Sequence, residues 1–195
     1  MSAPLVDRLR ASLAVAPEAP PISGDLAELP AAGATPAAVL VAITDRPAPG
    51  LILTVRRDDM RTHAGQVAFP GGRIDPGEEA IAAALREADE ELGLDPARAE
   101  VIAAVDPYLT VTGFAVTPVV AVIPPDLPLA PHEREVADWF EAPLAFVLDP
   151  SNQQRQSAVF AGRERRYWQI EWEGRKIWGA TAAMLVNLSR RLRWS

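Results

Sequence analysis

Between Gly72 and Leu94 the chain reads GRIDPGEEAIAAALREADEELGL, and few local sequences leave a backbone so little choice. Asp75-Pro76-Gly77 is turn chemistry, whereas Glu78 to Leu92 holds neither Gly nor Pro and is rich in Ala, Leu and Glu, all good helix formers. Gly93 can take the left-handed conformation that ends a helix. The spacing of Ile81, Ala84, Leu85, Ala88 and Leu92 predicts the buried stripe. Glu87, Glu90 and Glu91 recur at the same three- and four-residue intervals and are expected on another face. Three carboxylates converging there would repel and raise one another's pKa, a penalty that a divalent cation removes. The bland alternative is a solvated helix face.

The ligand types select the cation. Carboxylate and carbonyl oxygens suit Mg²⁺, with Mn²⁺ as the substitute, while zinc would want Cys or His. The chain has no Cys and two separated histidines, His63 and His132. Mg²⁺ bound through few carboxylates typically holds substrate phosphates. With 195 residues, 49% apolar and 23% charged, one globular domain with a sizeable core is expected. A net charge of −7 argues against a nucleic-acid backbone binder. The absence of Cys fits a reducing compartment, and no apolar run reaches signal-peptide or transmembrane character, so a cytoplasmic protein without a membrane partner is expected.

The helix and its flanks fit a template of glycine, five residues, glutamate, seven residues, then Arg-Glu-apolar-x-Glu-Glu-x-Gly-apolar. Every fixed position is filled: Gly72, Glu78, Arg86, Glu87, Glu90, Glu91 and Gly93. At roughly 7% per residue type, seven chance matches in such a chain have a probability on the order of 10⁻⁶. The stretch resembles the signature box of the nudix hydrolases, which cleave nucleoside diphosphates linked to another moiety. That resemblance implies an α/β/α sandwich with a mixed β-sheet and a loop-helix-loop metal site. It further implies that Glu87, Glu90 and Glu91 carry metal and help activate water, that Arg86 and Glu78 pair to brace the loop, and that the Gly71 carbonyl adds a ligand.

Upstream, Ile52–Gly72 (ILTVRRDDMRTHAGQVAFPGG) is similar to the additional signature of the coenzyme A pyrophosphatase branch, with matches at Leu53, Thr54, Arg56, Arg61, Gly65, Phe69, Pro70, Gly71 and Gly72. Ile52 replaces a leucine, and Arg57 stands where a small residue belongs. The resemblance implies a small-molecule substrate, coenzyme A or a derivative, bound by Arg56, Arg61, Gly65 and Phe69 and cut to 3′,5′-ADP and 4′-phosphopantetheine. Arg56, Arg57 and Arg61 form a basic cluster suited to an extra phosphate; pairing with Asp58, Asp59 or the box glutamates is the alternative. His63 is read as a loop hydrogen-bonder. Gly65 and the Pro70–Gly72 turn are read as backbone constraints allowing close approach.

Elsewhere, Leu5–Ala14 reads as an amphipathic helix and Pro17–Pro36 as an extended linker, which divides the chain into residues 1–36 and a hydrolase domain over 37–195. Strands are expected at Ala37–Ile43, Leu51–Arg56, Glu100–Asp106 and Phe114–Ile123, with Pro118 marking an edge, a strand start or a bulge. Glu133–Glu141 is expected as a strand and Ala142–Asp149 as a short helix; Glu133 or Glu135 could add a carboxylate to the site. A hairpin about Gly174 and a closing amphipathic helix, Gly179–Leu192, complete the chain. Trp139, Trp168, Trp172, Trp178 and Trp194 are assigned mainly to packing, and the arginine runs 163–166 and 190–193 to solvated faces. The rival functions are a nudix enzyme for ADP-ribose or another nucleoside diphosphate derivative, a catalytically silent ligand sensor, and an acidic face for a protein partner.

Overall fold

The computed structural model describes residues 4–17, 19–25, 33–57, 65–160 and 163–194. Its centre is a pair of apolar strands, β1 (Thr35–Thr44) and β7 (Phe114–Ile123), which run parallel over their whole length. Runs such as AAVLVAI and FAVTPVVAVI suit strands covered on both faces. Alternation then divides each strand between two cores. Val41 and Ile43 face one core, and Ala38, Leu40 and Ala42 the other.

Around this pair an eight-stranded mixed sheet is built. On one side of β1 lie β2 (Gly50–Arg56) and β4 (Gly71–Arg73), both antiparallel to it. Strand β2 also pairs with β3 (Val67–Ala68) and β8 (Val136–Pro143). On the far side, β7 pairs with β5 (Glu100–Ala104) and β6 (Tyr108–Leu109). Pro118 is neither at an edge nor at a strand end. It sits inside β7 where the partner passes from β5 to β6, a break that leaves no ladder bond for its missing N–H to make, while its carbonyl accepts from Val105 N at 2.9 Å.

Helix α2 (Ala80–Leu92) covers one face, and α1 (Leu5–Ala14), α3 (Leu144–Leu148) and α4 (Ala180–Leu192) the other, giving the α/β/α sandwich. A second, three-stranded sheet, β9 (Gln154–Phe160), β10 (Arg163–Trp172) and β11 (Arg175–Trp178), packs against α4. The Glu173-Gly174 turn has φ of 47° and 75°, as a two-residue type I′ hairpin requires. Strand β8 begins at Val136 rather than Glu133 because residues 130–135 are committed to α2. Strand β9 was not expected: QRQSAVF has no apolar run, and it is ordered by pairing with β10.

Helix α4 is buried continuously from Thr181 to Ser189 instead of along a stripe, so its polar groups need partners. Thr181 Oγ1 donates to Val67 O at 3.1 Å and Ser189 Oγ to Leu148 O at 2.6 Å. Asn187 accepts from Ile22 N and donates to Ile22 O, at 2.8 and 2.9 Å, clamping the N-terminal segment. Arg191 is not merely solvated: it donates to Asp106 and to Leu13 O. Trp172 packs on Phe146 and Trp194 under Arg8, while Trp178 is 41% exposed. Among the described residues no helix is long and apolar enough to cross a membrane.

Leu5, Leu9 and Leu13 of α1 lie in the larger core, Leu9 with no exposed surface. Leu9→Ala is therefore expected to destabilise the whole protein by about 2–4 kcal/mol. A urea midpoint lowered at unchanged slope is the expected observation; an unaltered midpoint would show that α1 is dispensable to the core.

Candidate active site

Small side chains allow α2 to lie close to the sheet. Ala83, Ala84, Ala88 and Leu92 are buried against β1 and β7, and Gly93 closes the helix with φ 65°. The expected stripe needs correction: Ile81 is 41% exposed and Leu85 half-buried, whereas Ala83 and Glu91 are buried. Seven residues after Ala84, Glu91 returns to within about 20° of the same helix face. It is on the core side, not beside Glu87 and Glu90 on a separate face.

Glu91 is 4% exposed, and its Oε2 accepts from Gly71 N at 3.2 Å. Burial pushes its carboxyl up to about 7; Glu87 and Glu135 push the same way, and the Gly71 N–H and the Arg56 charge oppose them. Glu87 is also raised, chiefly by burial, with the Glu90 and Glu135 charges adding and Arg86 opposing. Gly72 makes room for the Glu87 carboxylate, and Gly71 for the close approach of β1. A Cβ on Gly72 would stand 2.5 Å from the Glu87 carboxylate, and one on Gly71 would stand 2.4 Å from Ala38 O.

Arg86 fastens the loop to the helix. Its Nε and Nη2 meet both oxygens of Glu78 at 3.0 Å, and Nη2 also reaches Arg73 O at 3.0 Å. Glu78 is held below its ordinary range, first by Arg86 and then by the Asp75 N–H. The same guanidinium extends Nη1 to Glu87 at 3.0 Å and to Glu90 at 3.3 Å. Three carboxylates were expected to converge, but among the described residues no group of three acidic or histidine side chains is assembled as a cation cage. Arg86 draws Glu87 and Glu90 to itself, while Glu91 turns inward to Gly71. The guanidinium thus supplies part of the counter-charge that the sequence suggested a metal must supply.

Arg56, at the end of β2, acts on Glu91 through its charge, and its buried Nε has no hydrogen-bond partner among the described residues. Its N–H donates to Gln66 O, and its carbonyl accepts from Gly65 N. Arg61 and His63 lie outside the described residues. Phe69, expected to touch substrate, is 3% exposed and packs in the larger core. Arg57 donates to the Glu133 carbonyl.

Residues 130–135, which carry no periodic signal, line the site beside α2. Ala130 N donates to Leu92 O and His132 N to Glu91 O, both at 2.8 Å, capturing carbonyls left open at the helix end. Of the two acids considered there, Glu135 acts on Glu87 and Glu91, while Glu133 lends its carbonyl to Arg57. An open cavity of about 500 Å³ lies between this segment and Glu90.

The Glu91 carboxyl titrates near 7 in the folded chain against an ordinary 4.5. Between those values the folded state holds the extra proton, so stability falls as pH rises through that window. Metal-free Glu91→Gln is expected to exceed the parent in stability by about 1–3 kcal/mol near pH 8, the gap closing toward pH 4.5. Denaturant titrations of both proteins across this range check the sign.

Comparison with known proteins identifies the family of the chain. Residues 34–166 match the NUDIX domain. NudL of Escherichia coli K12, described as an uncharacterized Nudix hydrolase, is 46% identical over 157 residues, spanning 80% of this chain and 82% of its own. Among solved structures, the Nudix hydrolase RenU of M. smegmatis has a TM-score of 0.50 at 27% identity, covering 57% of this chain and 72% of that one. A C. elegans Ap4A hydrolase has a TM-score of 0.47 at 20% identity over 55% and 80%. A domain match over more than half of the sequence, joined to near-half identity with NudL across most of both chains, establishes that this chain belongs to the NUDIX family, among its hydrolases.

Proposed function

We propose that this chain is a metal-dependent pyrophosphohydrolase that cuts coenzyme A or a derivative into 3′,5′-ADP and 4′-phosphopantetheine. The observation that carries the reading is the meeting of the two signatures, with Arg56 of the upstream motif acting on the buried Glu91 of the box. A substrate with a diphosphate and a further phosphate requires both a carboxylate-held cation and nearby guanidinium groups.

Nudix hydrolases generally need a divalent metal, and the residues present suit one. Glu87, Glu90 and Glu91 are hard oxygen donors, Glu91 is a buried carboxylate with a single main-chain donor among the described residues, and Gly72 leaves space at Glu87. We assign Mg²⁺, with Mn²⁺ as a substitute, to these glutamates and to the Gly71 carbonyl. The bound metal supplies Lewis-acid stabilisation of diphosphate charge and eases deprotonation of water. The chain's own groups do the rest. Arg86 braces Glu78 and limits repulsion between Glu87 and Glu90, and Arg56 with Arg61 holds substrate phosphate. The box glutamates receive the proton as water oxygen joins one phosphorus and the bridging P–O bond breaks, leaving two phosphate monoesters.

Chromatography of products from coenzyme A, with and without Mg²⁺ and beside an ADP-ribose control, tests this. Metal-dependent appearance of 3′,5′-ADP faster than ADP-ribose cleavage is expected. Cleavage of ADP-ribose with coenzyme A left whole would keep the hydrolase chemistry and remove the substrate assignment; turnover of neither would leave the ligand-sensor alternative. Glu91→Gln is expected to lower turnover by about 10²–10⁴-fold, and near-parental activity would refute the site.

A further inference from the structure

We propose that Arg57 is a positioning residue, which holds residues 130–135 against the carboxylate site by donating to the Glu133 carbonyl, and is not a phosphate contact. The inference rests on the carboxylate site proposed above. Arg57 is, with the conservative Ile52, one of two positions at which this chain departs from the upstream signature, and it places a long cation where that pattern has a small residue.

The structure gives the departure a use. Pairing of β2 with β8 ends in a register shift at Val55 and Arg56, the last pair being Arg56 with Val136. Beyond it, residues 130–135 no longer belong to the sheet. They are tied to α2 from one side by Ala130 N to Leu92 O and His132 N to Glu91 O, and closed on themselves by Glu135 N and Val136 N donating to His132 O. Arg57, immediately after β2, supplies the tie from the opposite side. A guanidinium is suited to this, since its long stem and planar set of donors can bond a main-chain carbonyl. The segment so fixed carries Glu135, whose charge acts on both Glu87 and Glu91. Arg57 therefore helps fix the segment that lies beside the carboxylate site.

The test compares the full chain with Arg57→Ala, Glu135→Gln and the double variant, in Mg²⁺, on whichever of coenzyme A and ADP-ribose the parent hydrolyses. Arg57→Ala is expected to lower kcat about tenfold with KM within about twofold, and the double variant to be no worse than Glu135→Gln alone. Metal-free amide exchange by NMR gives an independent readout: His132, Glu135 and Val136 are expected to exchange about tenfold faster in Arg57→Ala. A raised KM at constant kcat, additive losses in the double variant, or unchanged exchange would each overturn the proposal. A parent inert toward both substrates would instead refute the hydrolase reading, and the exchange rates alone would then decide the role of Arg57.

Discussion

The burial of one carboxylate organises this protein. Glu91 sits on the core side of α2, and it can do so because its neighbours on that face, Ala84 and Ala88, let the helix approach the sheet. The same approach brings Gly71 N within hydrogen-bond distance and puts the Glu87 carboxylate where only a glycine at position 72 leaves room. One backbone N–H is modest compensation for a carboxylate removed from water, and the raised proton affinity of Glu91 records the deficit. Two apolar cores, one on each face of the sheet, stabilise a fold that can carry it.

Stability and activity therefore pull in opposite directions at this residue. A neutral side chain at position 91 would sit more comfortably in the metal-free protein, as strained or desolvated groups at functional sites commonly show. Arg86 reduces the conflict without abolishing it. By binding Glu78, Glu87 and Glu90 together it limits repulsion among the outer acids, yet it does not reach the buried one. The unmet requirement is localised at the single glutamate that a divalent ion would most benefit.

What was legible in the sequence follows from how local its causes are. The bounds of α1 and β7, the core of β1 and the left-handed Gly93 each depend on periodicity or end chemistry, and each is found where expected; the Arg86–Glu78 pair, which the family resemblance implied, is formed as well. The burial of Glu91 was legible too, since its angle from Ala84 places it inward, but reading the acids as one group by their spacing concealed it. Strands β3, β4 and β6 are two or three residues long and carry no pattern of their own; they exist because β2, β1 and β7 present ladders to complete. The clamp of Asn187 on Ile22 and the seating of residues 130–135 on α2 are contacts between distant segments, to which no local signal corresponds.

The geometry also explains how the upstream motif and the box, which share Gly72, come together at Arg56, Gly71 and Glu91. Gly71 pairs with Val39 of β1, while Thr54 and Val55 of β2 pair with Ala68 and Val67 of β3. The chain leaves β2 at Arg56 and is caught again at once by Gly65 and Gln66, both bonded to the Arg56 backbone. Arg56 and Gly71 are consequently held by the sheet rather than by the loop, and Glu91 is held by Gly71. That chain of constraints places a guanidinium and a buried carboxylate together, and it leaves position 57, the first outside the ladder, available for a task of its own.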